Sequence, residues 1–158
     1  MLIIDIILLI GLLGFVGAGA KDGFIHTLGR LVGAVVGFVI ARSWSASVTP
    51  LLDLFMPAGI ARVLAFIFIF LLITRLVGFV FKLADGAFKI LSILPFLKSI
   101  NALLGGILGF FEGVIISGGI IYLIVTFKLN ATLMGWLATS VIAPWIQRTF
   151  QILLGVLL

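Results

Sequence analysis

The sequence predicts an all-α integral membrane protein with four transmembrane helices, and three observations predict it. First, 64% of the 158 residues are hydrophobic and only 9% are charged, whereas about a quarter of the residues in a soluble domain are charged. Second, the mean hydropathy is +1.49, so the chain has too few polar side chains to cover a water-soluble surface. Third, four apolar stretches reach the roughly 20 residues that a helix needs to cross the hydrocarbon layer.

The four predicted spans lie between charged residues, as is typical of membrane helices. They cover about residues 2–20, 24–41, 63–81 and 100–127. Because the turn after the first span is only a few residues long, we expect spans one and two to form an antiparallel helical hairpin, and spans three and four to form a second one. Residues 1–128 are therefore predicted to be one four-span bundle.

Two segments between the spans have a different pattern. Residues 43–61 contain Pro50 and Pro57, so they cannot form one continuous helix. Residues 82–94 separate polar from apolar side chains at helical spacing, which predicts an amphipathic helix in the membrane interface. The polar face of this segment consists of Lys82, Asp85, Lys89 and Ser92.

The C-terminal residues 129–158 are predicted to be a second interfacial amphipathic segment. They have a mild polar stripe that Pro144 interrupts. Trp44, Trp136 and Trp145 all lie outside the predicted spans, where the aromatic belt of a membrane protein is found. The alternative is a fifth span over residues 137–158.

The N-terminus and the orientation each leave an alternative open. Ile6–Val16 followed by Ala18-Gly19-Ala20 has the form of a signal peptide, but it has no basic residue and carries Asp5, which we expect to mark the start of span one. Basic residues are nearly equal in number on the two sides, with Arg30 slightly favouring a cytoplasmic first loop, so the positive-inside rule does not decide the orientation.

Two ladders of small residues are the most specific pattern in the chain. Small residues at this spacing let helix backbones approach closely in lipid, where there is little hydrophobic drive for helices to associate. The ladders predict tight packing inside one bundle, or alternatively a glycine zipper between protomers or along a pore. They consist of Gly29, Gly33, Gly37 and Ala41 in span two, and of Gly105, Gly109, Gly113 and Ser117 in span four.

Ionisable residues within the spans are costly and therefore candidate functional groups. Glu112 is the deepest, and Arg75 lies within reach of the end of span three, so an Arg75–Glu112 ion pair is geometrically possible. Asp22, His26 and Arg30 follow one another at a spacing of four at the mouth of span two, which indicates an interfacial charge ladder or a pH-sensitive gate.

The residue inventory argues against an enzyme and against a bound cofactor. The chain has no cysteine and a single histidine, so a thiolate or multi-histidine metal site cannot form. It contains no phosphate-binding loop and no dinucleotide fingerprint. In a membrane protein the net charge of +5 is typical of contacts with anionic lipid headgroups, rather than of nucleic-acid binding.

At this level of detail the chain resembles the colicin V production protein family. Three stretches carry the resemblance in order along the chain. They are Asp5 with the turn Lys21-Asp22-Gly23-Phe24 and the run to Ala41, then Asn101-Ala102-Leu103-Leu104-Gly105 through Gly109 to Gly113, and finally Trp136 with Ser140 and Pro144. The family often has a basic residue where Asp22 and Glu112 stand here.

The resemblance implies a four-span bacterial inner-membrane protein linked to colicin V production or export and to envelope homeostasis. We expect it to be non-enzymatic and homo-oligomeric, in contact with membrane lipids and possible envelope or export proteins. A small channel or transporter, with span four lining the pathway, is the alternative.

Overall fold

The computed structural model describes residues 2–88 and 95–157, and these residues form six helices. Four of them are long and apolar enough to cross a membrane, which confirms the predicted all-α class with four candidate spans. The helices are α1 (Leu2–Asp22), α2 (Phe24–Leu52), α3 (Ala58–Phe88), α4 (Pro95–Thr126), α5 (Ala131–Ala138) and α6 (Ile142–Leu157).

Helix α2 is longer than the predicted second span, because it continues past Arg42 to Leu52 with Pro50 in its last turn. A proline removes one backbone hydrogen bond, and in the last turn this loss leaves the rest of the helix intact. The break expected within residues 43–61 lies at residues 53–57, directly before α3. The prediction that this segment is not one continuous helix is confirmed.

Helix α3 is also longer than the predicted third span. It runs without a break to Phe88, so residues 82–88 extend the spanning helix instead of starting a separate interfacial one. The physical reason is that no proline or other stop signal separates Lys82 from the apolar residues before it. The rest of the predicted interfacial helix, residues 89–94, lies outside the described residues.

The helices do not pair as two hairpins of consecutive spans. Helix α1 packs mainly on α4, and α2 packs mainly on α3 and then on α4. Helices α2 and α4 run in the same direction, since Phe24 bonds to Asn101 at one end and Arg30 bonds to Glu112 further along. Helix α4 is therefore central, with α1, α2 and α6 packed around it.

An aromatic cluster forms the core between α2 and its neighbours. The ring of Phe38 lies 5.5 Å from Phe66, 5.5 Å from Tyr122 and 5.0 Å from Phe150, each in an edge-to-face arrangement. Such aromatic pairs contribute about 0.5–1.5 kcal/mol each beyond the burial of their area. Because the three partners belong to α3, α4 and α6, Phe38 joins four helices.

Helix α6 is attached to the bundle by one face. Ala143, Ile146 and Phe150 are buried, while Trp145 and Arg148 are exposed. This buried face completes a second core cluster with residues of α1, α4 and α5. The cluster consists of Leu12, Val114, Ile121, Leu137, Ala143 and Ile146.

The C-terminal segment consists of two helices, α5 and α6, whereas the sequence predicted either one interfacial segment or a fifth span. Pro144 does not interrupt its helix, since it lies in the first turn of α6, where backbone N–H groups have no acceptor within the helix. Residues 139–141 separate α5 from α6, so the described residues contain no continuous helix over the alternative fifth span, 137–158. The interfacial position of this segment stays a prediction.

Candidate functional site

Two charged residues of the candidate spans, Arg30 and Glu112, meet between α2 and α4. Arg30 donates from Nε and Nη2 to the same carboxylate oxygen of Glu112, at 3.1 and 3.0 Å. Glu112 is only 6% exposed. The pair satisfies a carboxylate that would otherwise be buried without compensation, and the loss of one partner from such a pair is strongly destabilising.

Asp22 completes the cluster from the C-terminal end of α1. Its carboxylate accepts a hydrogen bond from Nη1 of Arg30, and both side chains are partly exposed, at 32% and 26%. Of the three residues in the predicted charge ladder, Asp22 and Arg30 pair directly. The half-buried His26 lies between them in sequence. The cluster thus joins one guanidinium to two carboxyl groups.

The predicted Arg75–Glu112 ion pair is wrong. The carboxylate of Glu112 is bonded to Arg30, and no salt bridge to Arg75 is found in the described part of the chain. The physical reason is the helix pairing. Helix α4 packs mainly on α1 and α2, whereas α3 packs mainly on α2, and the side chain of Arg75 is left exposed.

The corner between α1 and α2 is built around Gly23 and Asn101. Gly23 has φ 85°, a backbone conformation that L side chains rarely adopt, and a Cβ there would lie 2.2 Å from Nδ2 of Asn101. The amide of Phe24 donates to Oδ1 of Asn101 at 2.9 Å, and the buried Thr27 hydroxyl donates to the Gly19 carbonyl at 3.3 Å. Asn101 thus holds the corner that brings Asp22 toward Arg30.

The glycine ladder of α2 packs against α3. A Cβ on Gly29 would lie 2.4 Å from the side chain of Phe81, and one on Gly33 would lie 3.2 Å from the Thr74 carbonyl oxygen. Gly37 faces Thr74 as well, and Ala41 at the end of the ladder is fully buried. This face of α2 is therefore occupied inside the chain.

The glycine ladder of α4 packs against α1 even more closely. A Cβ on Gly105 would lie 2.2 Å from the Gly19 carbonyl oxygen, and one on Gly109 would lie 2.3 Å from the Phe15 carbonyl oxygen. Gly113 faces Leu12 and Phe15, and Ser117 at the end of the ladder is half-buried. Both ladders are used between helices of the same chain, which leaves neither glycine face for a second protomer or a pore.

Asp5 forms a second polar contact, which the sequence did not reveal. Its Oδ1 accepts hydrogen bonds from the backbone amides of Val141 and Ile142, each at 3.1 Å, and from the hydroxyl of Ser140. The Ser140 oxygen in turn accepts from the Ala143 amide at 2.9 Å. A carboxylate of α1 therefore caps the N-terminus of α6, where free amides and the helix dipole favour a negative charge.

The fold and its contacts can now be compared with known proteins. The family model described as "Colicin V production protein" matches residues 4–151, which is nearly the whole chain. The chain belongs to the colicin V production protein family. No significant match was found among curated proteins or among solved structures.

Membership of the colicin V production family confirms the resemblance read from the sequence. With four apolar helices, the chain is a multi-pass membrane protein. The family is not known as enzymatic, and the described residues contain no group of histidine, aspartate and glutamate that could hold a metal ion. The family match also includes Asp5 and Ser140, the two residues that connect α1 to α6.

Several residues of the site were missed or misjudged from the sequence. Asn101 belongs to a stretch that carries the family resemblance, and nothing in its local pattern indicates that it bonds to α2. The sequence predicts Arg30 to be an interfacial charge, whereas the structure bonds it to Glu112. The signal that could have identified its partner was the parallel direction of spans two and four, which allows residues of equal depth to meet.

Proposed function

We propose that this protein acts in colicin V production or export and in envelope homeostasis, as a non-enzymatic protein of the bacterial inner membrane. The observation that supports the proposal is the family match over residues 4–151, combined with four candidate spans. The non-enzymatic role is supported by the family, which is not known as enzymatic.

A homo-oligomer is part of this proposal, but not through the glycine ladders. The ladder glycines, Gly33 and Gly109 among them, already contact α3 or α1 of the same chain. The surfaces left for a second copy, or for other envelope or export proteins, are the exposed faces of the outer helices, which include α1, α3 and α6. Native mass spectrometry in lipid nanodiscs would measure the oligomer, and a strictly monomeric mass would remove this part of the proposal.

The experiment for the function is a deletion strain that carries a colicin V plasmid. We expect lower toxin release and greater sensitivity to detergent, both restored by the wild-type gene. A matched pair of variants makes the test specific. Gly109→Leu, which would place a side chain on the Phe15 backbone, should not restore either property, whereas Gly17→Leu, with open space at its Cβ, should restore both. Unchanged toxin release and unchanged detergent sensitivity in the deletion strain would refute the function.

A small channel or transporter is the second candidate, and one observation favours it. The charged cluster extends from Asp22, at the end of α1, to Glu112 inside α4, and its two carboxyl groups suit a cation or a proton. Against a continuous pathway, the rings of Phe38 and Tyr122 pack tightly further along the same two helices.

Cation flux into proteoliposomes tests this candidate. If α4 lines a pathway, Glu112→Gln should lower the flux at least several-fold, while Arg148→Gln on the exposed face of α6 should leave it unchanged. Flux that does not respond to Glu112→Gln, or the absence of any flux above empty vesicles, would rule out a pathway along α4.

A further inference from the structure

Arg75 is a charged residue whose position the fold and the proposed function do not explain. Its side chain is exposed on α3, and in the described residues it belongs to no salt bridge, since those found join Arg30 to Asp22 and to Glu112. Its neighbour Thr74 faces α2 and donates to the Gly33 carbonyl at 3.3 Å. Arg75 therefore points away from α2, toward whatever surrounds the protein.

The depth of Arg75 follows from the register of the helices. Thr74 contacts Gly33 and Gly37 of α2, and this stretch of α2 directly follows Arg30, which bonds to Glu112 near the middle of the candidate span Lys98–Thr126. At 1.5 Å per residue, Arg75 lies about 10 Å from Lys82 along α3. Arg75 therefore lies about two helical turns inside Lys82, in the part of α3 that leads to the end of the candidate span at Leu83.

An uncompensated arginine at this depth is unfavourable. The long side chain of an arginine can bend toward the nearer end of its helix, which for Arg75 is the end that carries Lys82. Glu112 is not available to compensate it, because it is 6% exposed and already bonded to Arg30. An anion bound at the Lys82 end of α3 would compensate both basic residues.

The surface beside Arg75 has room for such an anion. Gly78 lies between Arg75 and Lys82 at helical spacing on one side of α3, and it is half-buried while the two basic residues are exposed. A Cβ at Gly78 would have nothing within 4 Å, so the glycine leaves an open notch that is not required for packing inside the chain. Lys82 is exposed, and its Cα–Cβ bond tilts toward the N-terminus of α3, over this notch. Two cationic groups thus flank a gap in the helix surface.

An apolar cleft continues from this stripe. It lies between α3 and α4 with Phe38 of α2 at its floor, it has a volume of about 340 Å³, and its lining includes Leu71 and Ile67 of α3 and Ile116 and Ile120 of α4. Leu71 is one helical turn from Arg75, so the cationic stripe and the cleft are adjacent. An acyl chain has the chemistry that fills such a cleft in a bilayer.

We propose that Arg75, Gly78 and Lys82 form a binding site for the phosphate of an anionic phospholipid, whose acyl chain occupies the cleft between α3 and α4. Charge complementarity selects an anionic lipid, because a headgroup with a net negative charge neutralises the two cations better than a zwitterionic one does. The lipid would hold α3 against the rest of the bundle on the side where α3 does not pack on α4.

The test is native mass spectrometry of the full chain, released from nanodiscs that contain phosphatidylglycerol and phosphatidylethanolamine in equal amounts. We expect the wild-type protein to retain phosphatidylglycerol preferentially. Arg75→Gln and Lys82→Gln should each lower that retention about fivefold, the effect of removing one basic residue from an anionic-lipid contact. Gly78→Leu keeps both charges and should lower it as well, because the notch is filled.

Arg62→Gln is the matched control, since Arg62 is an exposed arginine at the other end of α3, and it should retain phosphatidylglycerol like the wild type. Circular dichroism would verify that each variant is folded. Equal retention of the two lipids by the wild type would overturn the proposal. So would unchanged retention in Arg75→Gln, or loss of a dimer in Arg75→Gln without any change in bound lipid, which would identify a second copy as the partner.

Discussion

At the scale of single residues, the interior charges of this protein depend on Arg30. Its guanidinium bonds to Glu112 in α4 and to Asp22 in α1, so one side chain of α2 connects three helices. The arrangement buries a carboxylate with its partner instead of leaving it in lipid. A double-mutant cycle can separate this coupling from the individual effects of each residue.

We expect Arg30→Gln and Glu112→Gln to be coupled by about 1–2 kcal/mol in the free energy of unfolding, because removing either side chain leaves the other without its charged partner. Denaturant unfolding in mixed micelles measures the cycle. The control is the cycle of Arg75→Gln with Glu112→Gln, which should show additivity because these residues do not pair. Coupling in the control cycle, or additivity in the first, would contradict the geometry.

Gly23 gives a second prediction at this scale. Gly23→Ala should strongly lower the yield of folded protein, since the backbone has φ 85° and the added Cβ would lie 2.2 Å from the Asn101 side chain. Gly14→Ala in α1, where a Cβ has nothing within 4 Å, should be neutral or slightly stabilising. Size-exclusion profiles of the two purified variants would distinguish these outcomes, and equal profiles would argue against the corner.

At the scale of helices, each of the two glycine ladders lets its own helix pack closely against a different partner helix. Glycine lets α4 approach the backbone of α1 and lets α2 approach the backbone of α3. Close backbone approach maximises van der Waals packing, which has to hold helices together where lipid is as apolar as leucine. The ladders thus explain the pairing of helices that are distant in sequence.

Gly109→Ala should destabilise the bundle by about 1–3 kcal/mol, the usual cost of overpacking, because its Cβ would lie 2.3 Å from the Phe15 carbonyl oxygen, a backbone atom that cannot move aside. Gly106→Ala is the matched control one turn away, where the nearest atoms are 3.6 Å from the added Cβ. The midpoint of thermal unfolding in detergent compares the two, and an equal midpoint would refute close packing at Gly109.

The attachment of helix α6 to the bundle depends on the side chain of Asp5 in α1. Asp5→Ala should expose α6 to limited proteolysis and lower the unfolding temperature, because the amides of Val141 and Ile142 lose their acceptor. Asp53→Ala, in the exposed turn before α3, is the control and should change neither. If α6 were cleaved at the wild-type rate in Asp5→Ala, the cap would have no role in its attachment.

At the scale of the whole molecule, the order of helices in space differs from their order in the chain. Helix α4 is central and contacts α1, α2 and α6, while α3 packs on α2. This arrangement leaves the outer face of α3 open to the membrane and covers one side of α4 with the C-terminal helix. The topology can be tested directly because the natural chain contains no cysteine.

We expect Ala20→Cys combined with Gly106→Cys to form a disulfide under mild oxidation. A Cβ at position 106 would lie 3.6 Å from the Cβ of Ala20, which is within the range that disulfides require. Ala20→Cys combined with Gly78→Cys joins α1 to the outer surface of α3 and should form none. Gel mobility with and without reductant reads the result. Cross-linking of the second pair alone would overturn the pairing of α1 with α4.

Amino-acid composition and local pattern by themselves determined that this is a helical membrane protein with four candidate spans and two glycine ladders. Mean hydropathy and the spacing of small residues depend only on neighbours in sequence. They can therefore be read without knowing which helices pack together. They also placed the break after α2, because a proline acts on its own helix.

Only the tertiary structure decided which helix each ladder meets and which cation Glu112 binds. Arg30 and Glu112 are 82 residues apart in sequence, and Asp5 and Ser140 are 135 apart. Such pairs depend on the direction of each helix, on the depth of each residue and on how closely the two backbones approach. The sequence of a single span gives none of these. The sequence allows a pair between Arg75 and Glu112, whose spans are neighbours in the chain, but α4 packs on α2 and so places Glu112 beside Arg30 instead.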